Sequence, residues 1–444
     1  MTDFIERPKF ACALGGAIST LEGLHRVVPI VHAAGGCANY LSGTYNTAAG
    51  YRGVGYCGGS MIPTSNIAEN NVVFGGEDRL AEQIENTLFA LDGDLYVVIT
   101  GCQVEIIGDD AAGVARRFKD RGVISANTAG FLGNALKGYD LVMNTLVDNV
   151  LAPSTAKEEH SVNIFGVVPG QDVFFKGNLD KLKELLNKIG VKANTFFATG
   201  DTIADIRGYG NAALSVVVSP SAGLEPAERL RDKLGIPWLN AELPIGIEGT
   251  ESFLRSVATA LKIDTALVEK VIASEKAYYY EFLERVVDIW SDLDFQRYAV
   301  VALDSYYAHA VTRFLANDLG WVPHLTAIND IEDEADQQRY AERFNDITSD
   351  VKPQVIFERN AGLLLEHIRN SYPRNNNDRY YDPLSPLYVI GSSIEVSLAD
   401  KLGAGFLSLA FPVTNRVVLN KGYVGFSGAI TLLEDLLSNL VAGR

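Results

Sequence analysis

The chain has 444 residues, 47% of them apolar, so it can bury more core than a single domain holds. A formal charge of −17, from 38 Lys and Arg against 55 Asp and Glu, makes nucleic acid a poor partner, because phosphate binding needs concentrated basic side chains. No run of about eighteen apolar residues occurs, MTDFIERPKF has no apolar signal core, and four cysteines are too few for a disulfide framework, so a cytoplasmic protein without a membrane segment is expected.

In chain order, the first block (1–160) is Gly-rich. Its clearest unit is a helix over 77–91 feeding a buried strand over 95–100 that ends at Cys102. From 161 onward strands alternate with helices: VNIFGVV (162–168), a helix over 179–190, ANTFFAT (193–199), LSVVVSP (214–220) and a helix over 224–235. A long helical stretch, 264–292, suits a connector. The alternation then resumes with YAVVAL (298–303), VPHLTAI (322–328), a helix around 332–347, PQVIF (353–357) and LYVIG (387–391), and ends in an amphipathic helix over 428–441. The Pro- and Asn-rich stretch 371–386 reads as a loop, and the acidic run Asp330–Glu334 reads as solvated helix surface. The pattern predicts an α/β protein of three Rossmann-like domains, parallel sheets flanked by helices, at 1–160, 161–295 and 296–444, with the C-terminal helices candidates to pack back on the first.

Cys12, Cys37 and Cys102 are each expected where a strand gives way to a turn, among small residues: PKFACALGGA, VHAAGGCANY and VVITGCQVEI. Two readings stand. Free Cys is commonly a small buried hydrophobe; thiolates are also ligands for zinc and for iron–sulfur clusters. Three thiols do not complete a four-ligand site, which favours a cluster shared with another polypeptide. Cys57 could be a fourth ligand, a redox-sensitive thiol or a bystander in a Gly-rich loop. His32 could hydrogen-bond near a cluster or be a satisfied core residue. Asp109 and Asp110 could serve metal or acid–base chemistry, and helix capping is the simpler role. FGGEDR matches no phosphate-loop pattern, so no nucleotide site is assigned.

The cysteine frame, with EIIGDD after Cys102, FGGEDRL (74–80), TAGFLGNALKGYD (128–140), PIGIEGTESFL (244–254) and the tail FPVTNRVVLNKGYVGFSGAITLLEDLL (411–437), resembles the large component of nitrogenase. The resemblance covers almost the whole chain and is nearest the β-type subunit of the vanadium and iron-only branches. It implies that Cys12, Cys37 and Cys102 supply half of an 8Fe-7S P-cluster, with Tyr40 at an aromatic position beside it. An α-type partner would complete the coordination sphere in an α2β2 heterotetramer. A separate ATP-dependent iron protein carrying a 4Fe-4S cluster would dock transiently and deliver electrons. The cofactor-binding Cys and late His of the α-type chain have no counterparts: Ser219 falls where that Cys would be, and no His follows His367. The resemblance therefore implies an electron-relaying chain with no catalytic residues of its own.

Three departures from that family's pattern stand out. The first ligand lies in CALGGA where CQPxGA is usual. Gly130 occupies a position where a serine able to join the cluster is expected. YRGVGYCGGSMIP (51–63) reads as an insert. The departures around Cys12 and Gly130 point to a relative outside the dinitrogen-reducing core, and among such relatives a methylthio-alkane reductase, which cleaves carbon–sulfur bonds of small thioethers, is the expectation. A vanadium- or iron-only-type nitrogenase β-subunit is the next reading. A cofactor-maturation scaffold, from a different functional class, is disfavoured by the retention of all three cysteines.

Overall fold

The computed structural model describes residues 5–51, 62–153, 156–292, 294–348, 350, 352–373 and 383–442. Short runs of Val, Ile and Leu form strands that pair in parallel throughout, and their apolar side chains leave both faces to be covered by helices. The first sheet contains β1 (Val27–His32), β2 (Leu95–Thr100) and β3 (Val123–Ala126), in the order β1-β2-β3. β1 and β2 are buried along their whole length. Pro29 lies inside β1, where its missing donor is tolerated because β1 is the edge of the sheet.

The second sheet contains β4 (Glu158–Phe165), β5 (Lys192–Asn194), β6 (Ala212–Val217) and β7 (Trp238–Asn240), ordered β5-β4-β6-β7. Its first strand begins slightly before residue 161. The third contains β8 (Tyr298–Leu303), β9 (Val322–Ile328), β10 (Gln354–Phe357), β11 (Leu387–Gly391) and β12 (Gly405–Ser408), ordered β10-β9-β8-β11-β12. Each of these sheets reverses its strand order once, between β4 and β6 and between β8 and β11, as doubly wound folds do. The C-terminal helix Gly425–Ala442 packs mainly on helices Phe175–Lys188, Gly246–Leu261 and Thr265–Glu284 and on β12. The segment before it returns to the first unit, with Val413 bridging Ala49 and Phe411 against Tyr45. No helix among the described residues is long and apolar enough to cross a membrane.

Around the first sheet lie α1 (Ala13–Gly23), α2 (Gly35–Ala48), α3 (Glu69–Phe74), α4 (Glu77–Ala90), α5 (Cys102–Ile107), α6 (Ala111–Arg116) and α7 (Ala135–Asn149). Every residue of α1 is buried. It crosses α7 at backbone contact, because Gly16 and Gly138 have no side chains to hold the helices apart. A Cβ at Gly16 would lie 2.0 Å from the Ala135 carbonyl oxygen, and one at Gly138 would lie 2.1 Å from that of Ala13. Backbone cannot retreat as a flexible side chain can. Gly16→Val is therefore expected to exceed the usual ~1–3 kcal/mol of overpacking and to give a low-melting or insoluble chain. Gly43→Ala, whose added methyl meets nothing within 4 Å, is expected to melt at or above the wild-type temperature. Thermal melts of the two variants check this.

The second and third sheets are joined through a partly buried charge network. Glu242, just after β7, ion-pairs with both His309 and Arg313 of the helix Ala308–Arg313, and Asp346 sits 2.8 Å from His309 Nε2 and 3.1 Å from Arg313 Nη1. Burial alone would lower the His309 pKa, but hydrogen bonds to Asp346 and Glu242 outweigh it and raise the value. With both ring nitrogens donating to carboxylates, His309 is an imidazolium. A raised folded pKa means that its stabilisation is complete below the unfolded value of about 6.5 and is lost as pH rises through the folded one. His309→Gln is expected to cost about 2 kcal/mol at about pH 6 and distinctly less at about pH 9. Paired urea melts across that window would show a constant difference if the network did not titrate.

Candidate metal centre

The three described cysteines are all free thiols, partly exposed, and all lie at helix starts. Cys102 opens α5 directly after β2. Cys37 lies in the first turn of α2, after β1. Because β1 and β2 are neighbours in register, with His32 opposite Thr100, these two helices begin side by side. Gly101 donates its N–H to the His32 carbonyl at 2.9 Å, and its missing Cβ leaves room for Ala33, which a side chain would meet at 2.6 Å. Ligands of parallel sheets characteristically lie at these carboxyl ends.

Cys12 arrives differently. No strand precedes it among the described residues: it stands at the N-cap of α1 and forms an isolated antiparallel bridge with Asn134, while the Ala13 N–H donates to the Gly133 carbonyl at 2.8 Å. The expected strand-to-turn setting is therefore wrong for Cys12, and the α1–α7 crossing places it instead. Gly130, in the turn after β3, sits between the sulfurs. A Cβ there would lie 3.0 Å from Cys102 Sγ and 3.2 Å from Cys12 Sγ. Thr128 holds this turn by donating from Oγ1 to the Thr100 carbonyl at 3.0 Å.

The Cys37 thiol is pushed up by burial and by its neighbours Cys12 and Cys102, and a hydrogen bond from the Gln103 side chain partly offsets this. The three sulfurs thus sense one another. Among the described residues, however, no three His, Cys, Asp or Glu groups are close enough to hold a metal ion. Gln103 and Asn134 are the site residues that the sequence reading passed over. Gln103 adjoins Cys102 in sequence, a usable signal; nothing local marks Asn134.

His32 is fully buried and satisfied. Burial holds it below its usual range despite Asp109, so the neutral ring donates Nε2–H to Asp109 Oδ2 (3.1 Å) and accepts at Nδ1 from Ser65 Oγ (2.9 Å). Asp109 also accepts from the Gly76 N–H at the start of α4, and Asp110 caps α6 by accepting from Gly113 N–H at 2.7 Å. Both aspartates are structural, although only Asp110 caps the helix that follows it. Tyr40, one turn beyond Cys37 on α2, is 76% exposed and hydrogen-bonds to none of the thiols through its side chain; Ile106, Phe131 and Leu132 are likewise exposed beside Cys102 and Gly130. Ser219 lies buried just after β6, far along the chain from this site. Cys57 lies outside the described residues.

The family model for nitrogenase component 1 type oxidoreductases matches residues 12–441. The chain belongs to the nitrogenase component 1 family. It is 24% identical to a nitrogenase molybdenum-iron protein beta chain of Methanococcus maripaludis (98% of this chain, 94% of the relative). It is 23% identical to a nitrogenase iron-iron protein beta chain of Rhodobacter capsulatus over the same shares. Of the solved structures, nitrogenase Cp1 at pH 6.5 superposes with a TM-score of 0.80 at 20% identity, covering 100% of this chain and 94% of that one, which shows the fold. The chain is thus β-chain-like within nitrogenase component 1, and these relatives do not single out one metal branch.

The residues present fit an iron–sulfur cluster of this family. They are soft thiol donors at helix starts, mutually close, with a side-chain-free position between two of the sulfurs. Thiols that hold a cluster are shielded from alkylation. In anaerobically purified protein with its metal, Cys12, Cys37 and Cys102 are expected to resist iodoacetamide, and after iron chelation all three are expected to react. Peptide mass spectrometry reads both states, and equal labelling in the two would remove these thiols from the metal site.

Proposed function

We propose that this chain is the electron-relaying, β-type subunit of a nitrogenase-like reductase, with its three sheets as the cores of domains 1–160, 161–295 and 296–444. Cys12, Cys37 and Cys102 would hold one half of a P-cluster-type 8Fe-7S cluster, and an α-type partner would supply the other half and carry the substrate-reducing cofactor. The observation that carries this reading is the placing of the Cys12 and Cys102 sulfurs on either side of Gly130, with Cys37 near enough to feel both, and with Tyr40, Ile106, Phe131 and Leu132 exposed close by in sequence. Exposed apolar side chains bordering an incomplete ligand set are what a subunit interface leaves when one side is viewed alone. Such a cluster, when bound, supplies reversible one-electron storage and transfer. The chain's own contribution is to position and desolvate it: β1, β2 and the α1–α7 crossing fix the ligands, and Gln103 hydrogen-bonds at Cys37.

The assembly would be an α2β2 heterotetramer visited by an ATP-dependent iron protein. We place the reaction at reductive carbon–sulfur cleavage of small methylthio-alkanes, because Gly130, next to the Cys102 and Cys12 sulfurs, offers no side-chain oxygen where the dinitrogen-reducing relatives are expected to carry serine. A vanadium- or iron-only-type dinitrogen reductase is the alternative, and the same residues would serve it.

Cys102→Ala in the complex is expected to lower iron per αβ pair, remove the cluster's EPR signal and reduce turnover at least ~100-fold, the scale on which loss of a metal-site group acts. Wild-type complex assayed in parallel with a methylthio-alkane, dinitrogen and acetylene is expected to release methanethiol and little ammonia. Full activity in the variant would defeat the relay role, and ammonia as the main product would defeat the substrate assignment.

A further inference from the structure

The carboxyl ends of β4, β6, β8 and β9 converge on a small cavity of about 10 Å³, room for one water-sized occupant. Gly166 follows β4 and Ser219 follows β6, at the strand-order reversal of the second sheet. Asp304 follows β8, beside the reversal of the third. Open parallel sheets take their ligands in these crevices, and here two of them face the same space.

The lining is rich in acceptors; of its hydroxyls, Tyr306 OH donates to Asp172 Oδ2 at 3.3 Å. Gln171 is 3% exposed and faces the cavity; its Nε2 donates to the Lys9 carbonyl at 3.3 Å, which fixes the amide orientation and leaves Oε1 without a partner. Three carboxylates join it. Asp172 accepts from Tyr307 OH (2.8 Å), Asn178 Nδ2 (2.9 Å) and Phe174 N–H (2.8 Å). Asp330 accepts from Ser305 N–H (2.8 Å) and Oγ (2.5 Å), and Asp304 from Tyr307 N–H at 3.3 Å. The cation near them, Lys9, is 2.8 Å from Glu395 and so already matched. Burial and the mutual repulsion of these acids push Asp304 well above the usual carboxylate range, and burial raises Asp330.

Asp330 is also a wall of an open cleft of about 690 Å³, which corrects its assignment to solvated helix surface. Asp140, Glu225, Glu332 and Asp336 line the same cleft. Of its two arginines, Arg339 pairs with Asp336 and Arg343 lies over the Tyr340 ring. The cleft and the cavity share Asp330 as a wall, and the acidic side chains of the cleft raise the local concentration of cations beside it.

We propose that this cavity is a site for one water-sized monovalent cation, potassium or ammonium, held by Asp304, Asp330 and the Gln171 carbonyl oxygen where the second and third sheets meet. Carboxylate, amide and hydroxyl oxygens suit hard cations, and no three acidic, imidazole or thiol groups among the described residues are close enough for a metal that requires them. The site is independent of the thiol cluster.

The test uses the intact complex, moved into choline chloride at about pH 8 and titrated with potassium, ammonium or sodium chloride at constant ionic strength. Potassium or ammonium is expected to raise the melting temperature saturably by about 2–4 °C, with sodium weaker, and the stronger of the two identifies the ion. Crystals soaked in thallium(I) acetate are expected to show an anomalous peak in the cavity. Asp304→Asn and Gln171→Leu should each abolish both signals with iron content unchanged, which separates this site from the cluster. Should Asp304→Asn fail to fold, Gln171→Leu and the thallium peak decide. Equal melting in potassium and choline without a thallium peak overturns the proposal and leaves water and protons as the occupants. A potassium effect that persists in both variants also overturns it, placing the ion elsewhere.

Discussion

The backbone-to-backbone crossing of α1 and α7 is the constraint on which the thiol site depends. Cys12 is the one of the three thiols that no strand among the described residues delivers. It reaches Cys102 because α1 can lie against α7 with the Ala13 and Ala135 carbonyls in the space that side chains at Gly138 and Gly16 would occupy. The Cys12–Asn134 bridge then ties the start of one helix to the start of the other. Glycine inside a helix costs about 1 kcal/mol against alanine. That cost is offset here by close packing of a helix that is buried on every side.

One rule of parallel sheets accounts for the other positions, applied twice. Strand carboxyl ends present loops and helix N-termini to the same side. In the first sheet, β1 and β2 deliver Cys37 and Cys102, and the turn after β3 delivers Gly130. In the second and third sheets the same ends deliver Gly166, Ser219, Asp304 and Asp330 to the enclosed cavity. The two regions differ in exposure. The thiols open outward among apolar side chains, whereas the carboxylates are closed in by the joint between sheets, a joint also held by Glu242, His309, Arg313 and Asp346.

Much of this was legible from local pattern. β2, β8, β9 and β11 occupy the residues that periodicity assigns, because each is a mainly β-branched or apolar run bounded by polar or turn residues. The helices ending near Gly190 and Gly235 also stop where those glycines take positive φ. β1 is expected before Cys37 but without bounds; Pro29 inside it falls on the edge strand of its sheet, where the missing donor is tolerated. β7 and β12 are too short to leave a pattern. ANTFFAT looked like one strand, but only Ala193 and Asn194 of it pair; Phe196 and Phe197 beyond them are buried. Asp330 looked like surface because it opens an acidic run, yet it folds inward to accept from Ser305, a contact 25 residues away that no local rule reveals.

The thiol site shows the same boundary between local and non-local information. Cysteine among small residues is visible in sequence, and so is the shortfall of three. That Gly130 lies between two of the sulfurs depends on β3 pairing with β2, and that Cys12 lies there at all depends on a helix crossing set by glycines more than a hundred residues apart. Burial raises the Cys37 pKa, which works against the thiolate a metal requires, and the helix start on which Cys37 sits works the other way. Iron would settle that balance by binding the thiolate and releasing its proton. Tyr40, Ile106, Phe131 and Leu132, exposed apolar side chains close in sequence to Cys37, Cys102 and Gly130, are of the kind that a second protein surface covers.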